Sequence, residues 1–115
     1  MTEIGLKIEM AAFDERTAGD IGLQRDLLSC FESEFAGLRN SLSDNVLKRD
    51  FQAVASGLHK LKGSVGLFGF VNVTDYISSL ENRLKTDLDA DLSAFLKDLF
   101  LSIEKHIVEL KKCIY

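Results

Sequence analysis

The chain contains no proline in 115 residues, where average usage of about 5% would place roughly six. Proline breaks helices because it lacks a backbone N–H and clashes with the preceding turn. A chain without it is free to run long helices, and the apolar residues here recur at helical spacing. Leu27, Leu28, Phe31, Phe35, Leu38 and Leu42 form one series at steps of three and four. Leu47, Phe51, Val54, Leu58, Leu61 and Val65 form a second, within an arc of about 80° on a helical wheel. Val73, Ile77, Leu80 and Leu84 form a third, and the run from Leu92 through Phe95, Leu96, Leu99, Ile103 and Ile107 to Leu110 a fourth. Four amphipathic helices with short connections make an all-α fold, an antiparallel up-down-up-down four-helix bundle.

The boundaries follow from caps and breakers. Residues 1–9 lack periodicity and are expected to be irregular. A short extra N-terminal helix is expected over 10–18, ending near Gly19 and covering one end of the bundle. Asp20 is placed to cap the first long helix, which should run to about residue 42. SLSDN (41–45) reads as a turn, with Ser43 or Asp44 as the next cap. GFVN (69–72) breaks the pattern again, and TDLDAD (86–91) turns the chain into the last helix. With no repeat or composition shift, residues 1–115 read as a single helical domain, and a monomer is expected because one core consumes all four stripes.

Charge narrows the function. A net charge of −4 argues against a broad nucleic-acid footprint, which needs excess Lys and Arg on one face. The acidic run at 87–91 fits a solvated turn with helix caps rather than a metal site. No stretch approaches the roughly 18 apolar residues of a membrane span, and MTEIGLKIEM lacks the features of a signal peptide. Cys30 and Cys113 have no metal-like spacing and read as free thiols in a reducing compartment. The expectation is a cytoplasmic protein.

One stretch of the second long helix is unusual: HKLKGSVGLFGF, residues 59–70. Glycines at 63, 66 and 69 each cost a helix interior about 1 kcal/mol relative to alanine. His59 lies about 115° from the centre of the apolar stripe, on the flank rather than in the core. Its neighbours one and two turns away are Gln52, Ala55, Ser56, Lys62, Gly63 and Gly66, four of them tiny. No carboxylate is among them. A zinc site would need ligands this helix does not carry at 55 or 63, and a catalytic triad would need an acid. The glycines match neither the P-loop nor the dinucleotide pattern. What remains is histidine as a nucleophile that itself carries a group. Such a ring needs small neighbours, which Gly63 and Gly66 supply, and a nearby cation for phosphoryl oxygens, which Lys62 supplies. Lys60 points about 100° away and reads as a solvated charge at the rim.

These residues resemble a known signature. His59, Leu61, Lys62, Gly63, Ser64 and Gly69 reproduce H-x-L-K-G-S with a glycine five residues on, which is similar to the motif of histidine-containing phosphotransfer (HPt) domains of bacterial phosphorelays. The helix order over residues 10–115 resembles that family too. The resemblance implies a carrier phosphorylated on His59, with Lys62 and Gly63 beside the phosphate and Gln52, Ala55, Ser56, Lys60 and Gly66 on the docking face. It implies receiver domains of response regulators or hybrid histidine kinases as partners. It implies no cofactor in this chain, Mg²⁺ belonging to the receiver, and no kinase activity. Ser64 points about 140° from His59 and reads as structural; Gly69 reads as a packing and chain-reversal residue. Gly57 and Gly66 are glycines the motif does not require, and Gly57 suits close packing.

A non-catalytic module that docks or sequesters a signalling partner is the alternative reading, and it would not need the histidine. His106, one position before Ile107, reads as a surface or boundary residue. Of Phe68 and Phe70, which flank Gly69, one is expected to be partly exposed near the docking surface.

Overall fold

The computed structural model describes residues 4–86 and 91–115. Five helices follow in order: α1 (Met10–Arg16), α2 (Ile21–Leu47), α3 (Phe51–Leu67), α4 (Val71–Thr86) and α5 (Leu92–Ile114). Each apolar stripe becomes a buried face. In α3, Val54, Leu58, Leu61 and Val65 are fully buried, and Val73, Ile77 and Leu80 of α4 meet them in the same core. Burying each such side chain contributes about 1.5–3 kcal/mol, which holds helices that would be marginal alone.

Three aspartates start helices by accepting a backbone N–H three residues on. Asp20 caps α2 through Leu23, Asp50 caps α3 through Ala53, and Asp91 caps α5 through Ala94. α2 packs on α3 and α5, and so does α4, which sets α3 and α5 at opposite corners. Pairs between α2 and α5 run in opposite directions, Glu32 with Lys111 and Arg39 with Glu104. Between α4 and α5, Arg83 lies over Phe95 while Phe70 at the other end meets His106. The bundle is therefore antiparallel along both seams.

The turn expected at 41–45 is helix. Leu42 is buried and Val46, four residues on, packs against the core, so burial continues through the segment. Asp44 adds an ion pair to Lys48 at 2.9 Å. Nothing between 41 and 45 is a glycine or proline, and the chain reverses only at 48–50, where Arg49 takes φ 57° and Asp50 caps α3. Leu47 accordingly ends α2 and is 78% exposed rather than part of the α3 stripe. Most of the turn expected at 86–91, with the acidic run at 87–90, lies outside the described residues.

The α3–α4 reversal is a Schellman motif. Phe70 N–H bonds the Val65 carbonyl, Gly69 N–H bonds the Gly66 carbonyl, and Gly69 takes φ 77°. A Cβ on Gly69 would stand 2.6 Å from the Glu9 carbonyl oxygen, so backbone conformation and close approach both demand glycine. At Gly57 the close approach is to a side chain instead: a Cβ there would lie 2.7 Å from Leu42 Cδ2, which would have to shift.

Residues 4–9 form an extended strap across this end of the bundle. Ile8 bridges Phe70, Glu9 N–H donates to the Gly69 carbonyl, and Asn72 Nδ2 donates to the Gly5 carbonyl. Strap and α1 together bury what the sequence left at the surface. Phe13 of α1 packs on Phe68, which also touches Phe31 and Phe70. Phe68 and Phe70 are therefore both core residues, and neither is exposed.

His106 is likewise fully buried, against the expectation of a surface or boundary position. Its ring packs on Phe70, its Nε2 accepts from Lys7 N–H at 3.3 Å, and its Nδ1–H donates to the Ser102 carbonyl at 2.7 Å. Burial pushes its imidazole below the ordinary histidine value of 6.5, an effect the Ser102 carbonyl partly offsets. The strap is what closes the site, and no helical periodicity registers it.

Candidate functional site

Midway along α3, His59 stands on the flank of the bundle with its side chain 78% exposed. The helix supports this placement from below, since Leu58 and Leu61 are fully buried on either side. Space around the ring comes from the glycines. A Cβ built on Gly63 or on Gly66 meets nothing within 4 Å. Neither glycine is forced by backbone strain or packing, unlike Gly57 and Gly69, so their effect is open surface beside the imidazole. Gln52 and Ser56 are exposed on the N-terminal side of the ring and Ala55 is half-buried.

The carboxylate missing from α3 comes from α4. Glu81 Oε2 lies 3.6 Å from His59 Nδ1, and Glu81 Oε1 lies 2.6 Å from Lys62 Nζ. Glu81 is only 19% exposed and Lys62 30%. The bare shelf expected around His59 is thus bare on its own helix only. The first contact is an ion-pair distance, too long for a hydrogen bond. It favours the tautomer with its proton on Nδ1, leaving the Nε2 lone pair for the solvent side. Lys62 is held on the same carboxylate.

The remaining residues separate. Lys60 is 64% exposed on the α2 side, 3.8 Å from Glu34. Ser64 Oγ donates to the Lys60 carbonyl at 3.4 Å, within its own helix. Gly66 lies two turns beyond His59, and its carbonyl accepts from Arg16 at 2.6 Å, so α1 closes the end of α3. Gly69 sits in the reversal, away from the ring. Among the described residues no cluster of His, Cys, Asp and Glu could hold a metal ion, and no helix is long and apolar enough to cross a membrane. A groove of about 540 Å³ between α2 and α5, lined by Phe35, Arg39, Glu104 and Ile107, lies on a different face.

The signal for Glu81 lies in the hairpin. α3 and α4 are antiparallel about a turn at Gly69 and Phe70, so His59 falls opposite Leu80 and Glu81. Leu80 takes the buried position and leaves Glu81 on the flank.

The structure thus presents an exposed histidine on the second long helix of a four-helix bundle, flanked by small residues, a lysine and a carboxylate. The family model of the Hpt domain matches residues 26–112, and the chain belongs to that family. Hpt domains carry phosphoryl groups on histidine in phosphorelays without catalysis of their own. No curated protein and no solved structure matches the chain.

Proposed function

We propose that this chain accepts a phosphoryl group on His59 Nε2 from the aspartyl phosphate of a receiver domain and passes it to a second receiver domain in a multistep phosphorelay. The observation that supports this most is the His59 ring itself, exposed on a rigid helix with open space at Gly63 and Gly66. A receiver's active site is a recessed acidic pocket, and only an unobstructed ring reaches into one.

The step balances without a group from this chain other than the imidazole. The Nε2 lone pair attacks phosphorus, the bond from phosphorus to the aspartate oxygen breaks, and the carboxylate leaves with its electron pair. The ring keeps its proton on Nδ1 and takes on positive charge, which the Glu81 carboxylate 3.6 Å away offsets. Mg²⁺ of the receiver neutralises the phosphoryl oxygens, and the reverse sequence delivers the group to the next aspartate. Lys62, Gly63, Gln52, Ala55, Ser56, Lys60 and Gly66 form the rim on which the receiver rests, with Lys62 moving from Glu81 to the phosphate. The partners are receiver domains of response regulators or hybrid histidine kinases, and the chain works without a cofactor of its own, in the cytoplasm.

The test is incubation with a phosphorylated receiver domain. An acid-labile, base-stable phosphate should move to this chain, and His59→Gln should abolish the transfer while helicity is unchanged. Transfer that survives the substitution overturns the reading. A receiver that is bound and regulated equally well by the His59→Gln variant would instead favour a non-catalytic docking module.

A further inference from the structure

The strap is held to the bundle through its main chain at every second residue. The Gly5 carbonyl accepts from Asn72 Nδ2 at 2.9 Å, Lys7 N–H donates to His106 Nε2 at 3.3 Å, and Glu9 N–H donates to the Gly69 carbonyl at 2.9 Å. Its side chains add little. Ile4 and Ile8 are half-buried against the core, and Gly5, Leu6, Lys7 and Glu9 are exposed. A segment with so little buried surface opens at a lower free energy than the helices beneath it. The longest of its three bonds is the middle one, and the acceptor there is a group that titrates.

The partners of His106 fix where its proton sits. The Ser102 carbonyl only accepts, so Nδ1, 2.7 Å away, carries the hydrogen. The Lys7 amide only donates, so Nε2 is bare. A second proton has one place to go, Nε2, and there it turns an acceptor into a donor aimed at another donor. The bond to the strap is lost, and a cation is left in a fully buried site, where an unpaired charge is strongly disfavoured. No carboxylate relieves it, since His106 makes no ion pair among the described residues. Lys7 and Glu9 of the strap, Asp75 of α4 and Lys105 of α5 are exposed, and Glu109 of α5 is bound to Lys112 at 3.0 Å. Tyr76 of α4 stays neutral, because burial and Asp98 push its hydroxyl up. The α3–α4 reversal offers only the apolar ring of Phe70. The smallest movement that brings water to the ring is that of the strap, because no helix has to shift.

We infer that the strap is a proton-operated latch: a second proton on His106 Nε2 releases residues 4–9 from the α3–α4 reversal and leaves the four-helix bundle folded. Release uncovers the Phe70 and His106 rings and frees the Gly69 carbonyl from Glu9. The direction follows from linkage. Burial holds the closed imidazole below its ordinary value of 6.5, so the ring binds its proton more tightly once the strap is open. Opening is therefore suppressed above 6.5. Below it, opening grows by up to about tenfold per pH unit until the closed form is itself protonated. The latch is independent of the phosphoryl-carrier reading.

Amide hydrogen exchange followed by NMR from about pH 7.5 to about pH 5 tests the latch, with each rate divided by the unstructured-chain rate at the same pH. Protection of the Lys7 and Glu9 amides should fall below pH 6.5 by up to about tenfold per unit, in step with the His106 ring resonances. The Leu61 and Leu99 amides should stay better protected than the strap throughout, with helicity unchanged by circular dichroism. In His106→Gln the carboxamide can still accept from Lys7 N–H but does not titrate, so strap protection should no longer depend on pH. Asn72→Ala, which leaves His106 in place, should lower strap protection severalfold at every pH and keep the slope. Strap protection in the parent that is flat across the range overturns the proposal. So does strap protection equal to that of Leu61 and Leu99 at every pH, which would mean that the strap opens only when the bundle unfolds, or a slope that survives in His106→Gln.

Discussion

Glu81→Gln asks whether the carboxylate across the α3–α4 hairpin acts on the phosphorylated ring. The substitution keeps the shape of a side chain that is 19% exposed and removes only its charge. Two contacts change. Lys62 loses an ion partner at 2.6 Å, and His59 loses a carboxylate oxygen 3.6 Å from Nδ1. The first is a structural loss of about 1 kcal/mol at a partly buried pair near the surface. The second matters once Nε2 carries a phosphoryl group and the ring is positive. Two unit charges 4 Å apart attract by about 1 kcal/mol in water and about 4 kcal/mol at an effective dielectric constant of ~20. The ring is 78% exposed, which sets the contact near the lower figure. About 1 kcal/mol is roughly a fivefold change in an equilibrium constant.

At a fixed ratio of phosphorylated receiver to carrier, Glu81→Gln should therefore lower the equilibrium ratio of phosphorylated to free carrier about fivefold. The assay is quantification of base-stable label on this chain after the exchange has reached a plateau. One opposing effect has to be separated, because the freed Lys62 can move to the phosphate and recover part of the loss. Repeating the substitution in a Lys62→Ala background isolates the ring contact, and the fivefold loss should be seen there in full. If Glu81→Gln matches the parent in both backgrounds, the carboxylate serves only to hold the lysine, and exposure alone presents Nε2.

Gly69→Ala should destabilise the fold by about 2 kcal/mol or more, since φ 77° is strained for any residue with a Cβ and the Glu9 carbonyl stands 2.6 Å away; a melting temperature lowered by roughly 10 °C checks it, and an unchanged one refutes it. Gly63→Ala meets open space and should raise stability by about 1 kcal/mol in urea unfolding, whereas Gly63→Phe should keep the helix content and slow transfer from a receiver by at least about tenfold. The buried His106 holds its proton less tightly in the folded chain than at the ordinary value of 6.5. The unfolded chain binds more protons below that pH, so the stabilising contribution is present above 6.5 and is lost as pH falls through it towards the lower folded value. Urea midpoints measured across that range should show this slope in the parent and a flatter one in His106→Gln; parallel profiles would refute the assignment.

The long helices were legible in the sequence because burial alone sets their period. Leu58, Leu61 and Val65 repeat at steps the core requires, and no proline interrupts them. The boundary at 41–45 was misread because serine, aspartate and asparagine favour turns locally, while burial of Leu42 and packing of Val46 hold the segment helical. Arg49 then makes the reversal at a positive φ, a conformation its side chain does not advertise. His106, and the partial exposure expected of either Phe68 or Phe70, were misplaced for a different reason. Their cover comes from α1 and the strap, whose contacts bridge distant parts of the chain and follow no helical period.

The site divides along the same line. The ring, its small neighbours and both lysines lie on one helix, and a wheel of that helix places them all. Glu81 lies on another, so the wheel presents His59 as lacking a carboxylate when the folded chain supplies one. The physical rule that recovers it is hairpin symmetry rather than periodicity. Because Gly69 fixes where α3 reverses, it also fixes which residue of α4 stands beside His59, and Leu80, by taking the core position, hands the flank to Glu81. The motif glycine that makes no contact with the ring thus determines, through the register of the hairpin, the charge the ring faces.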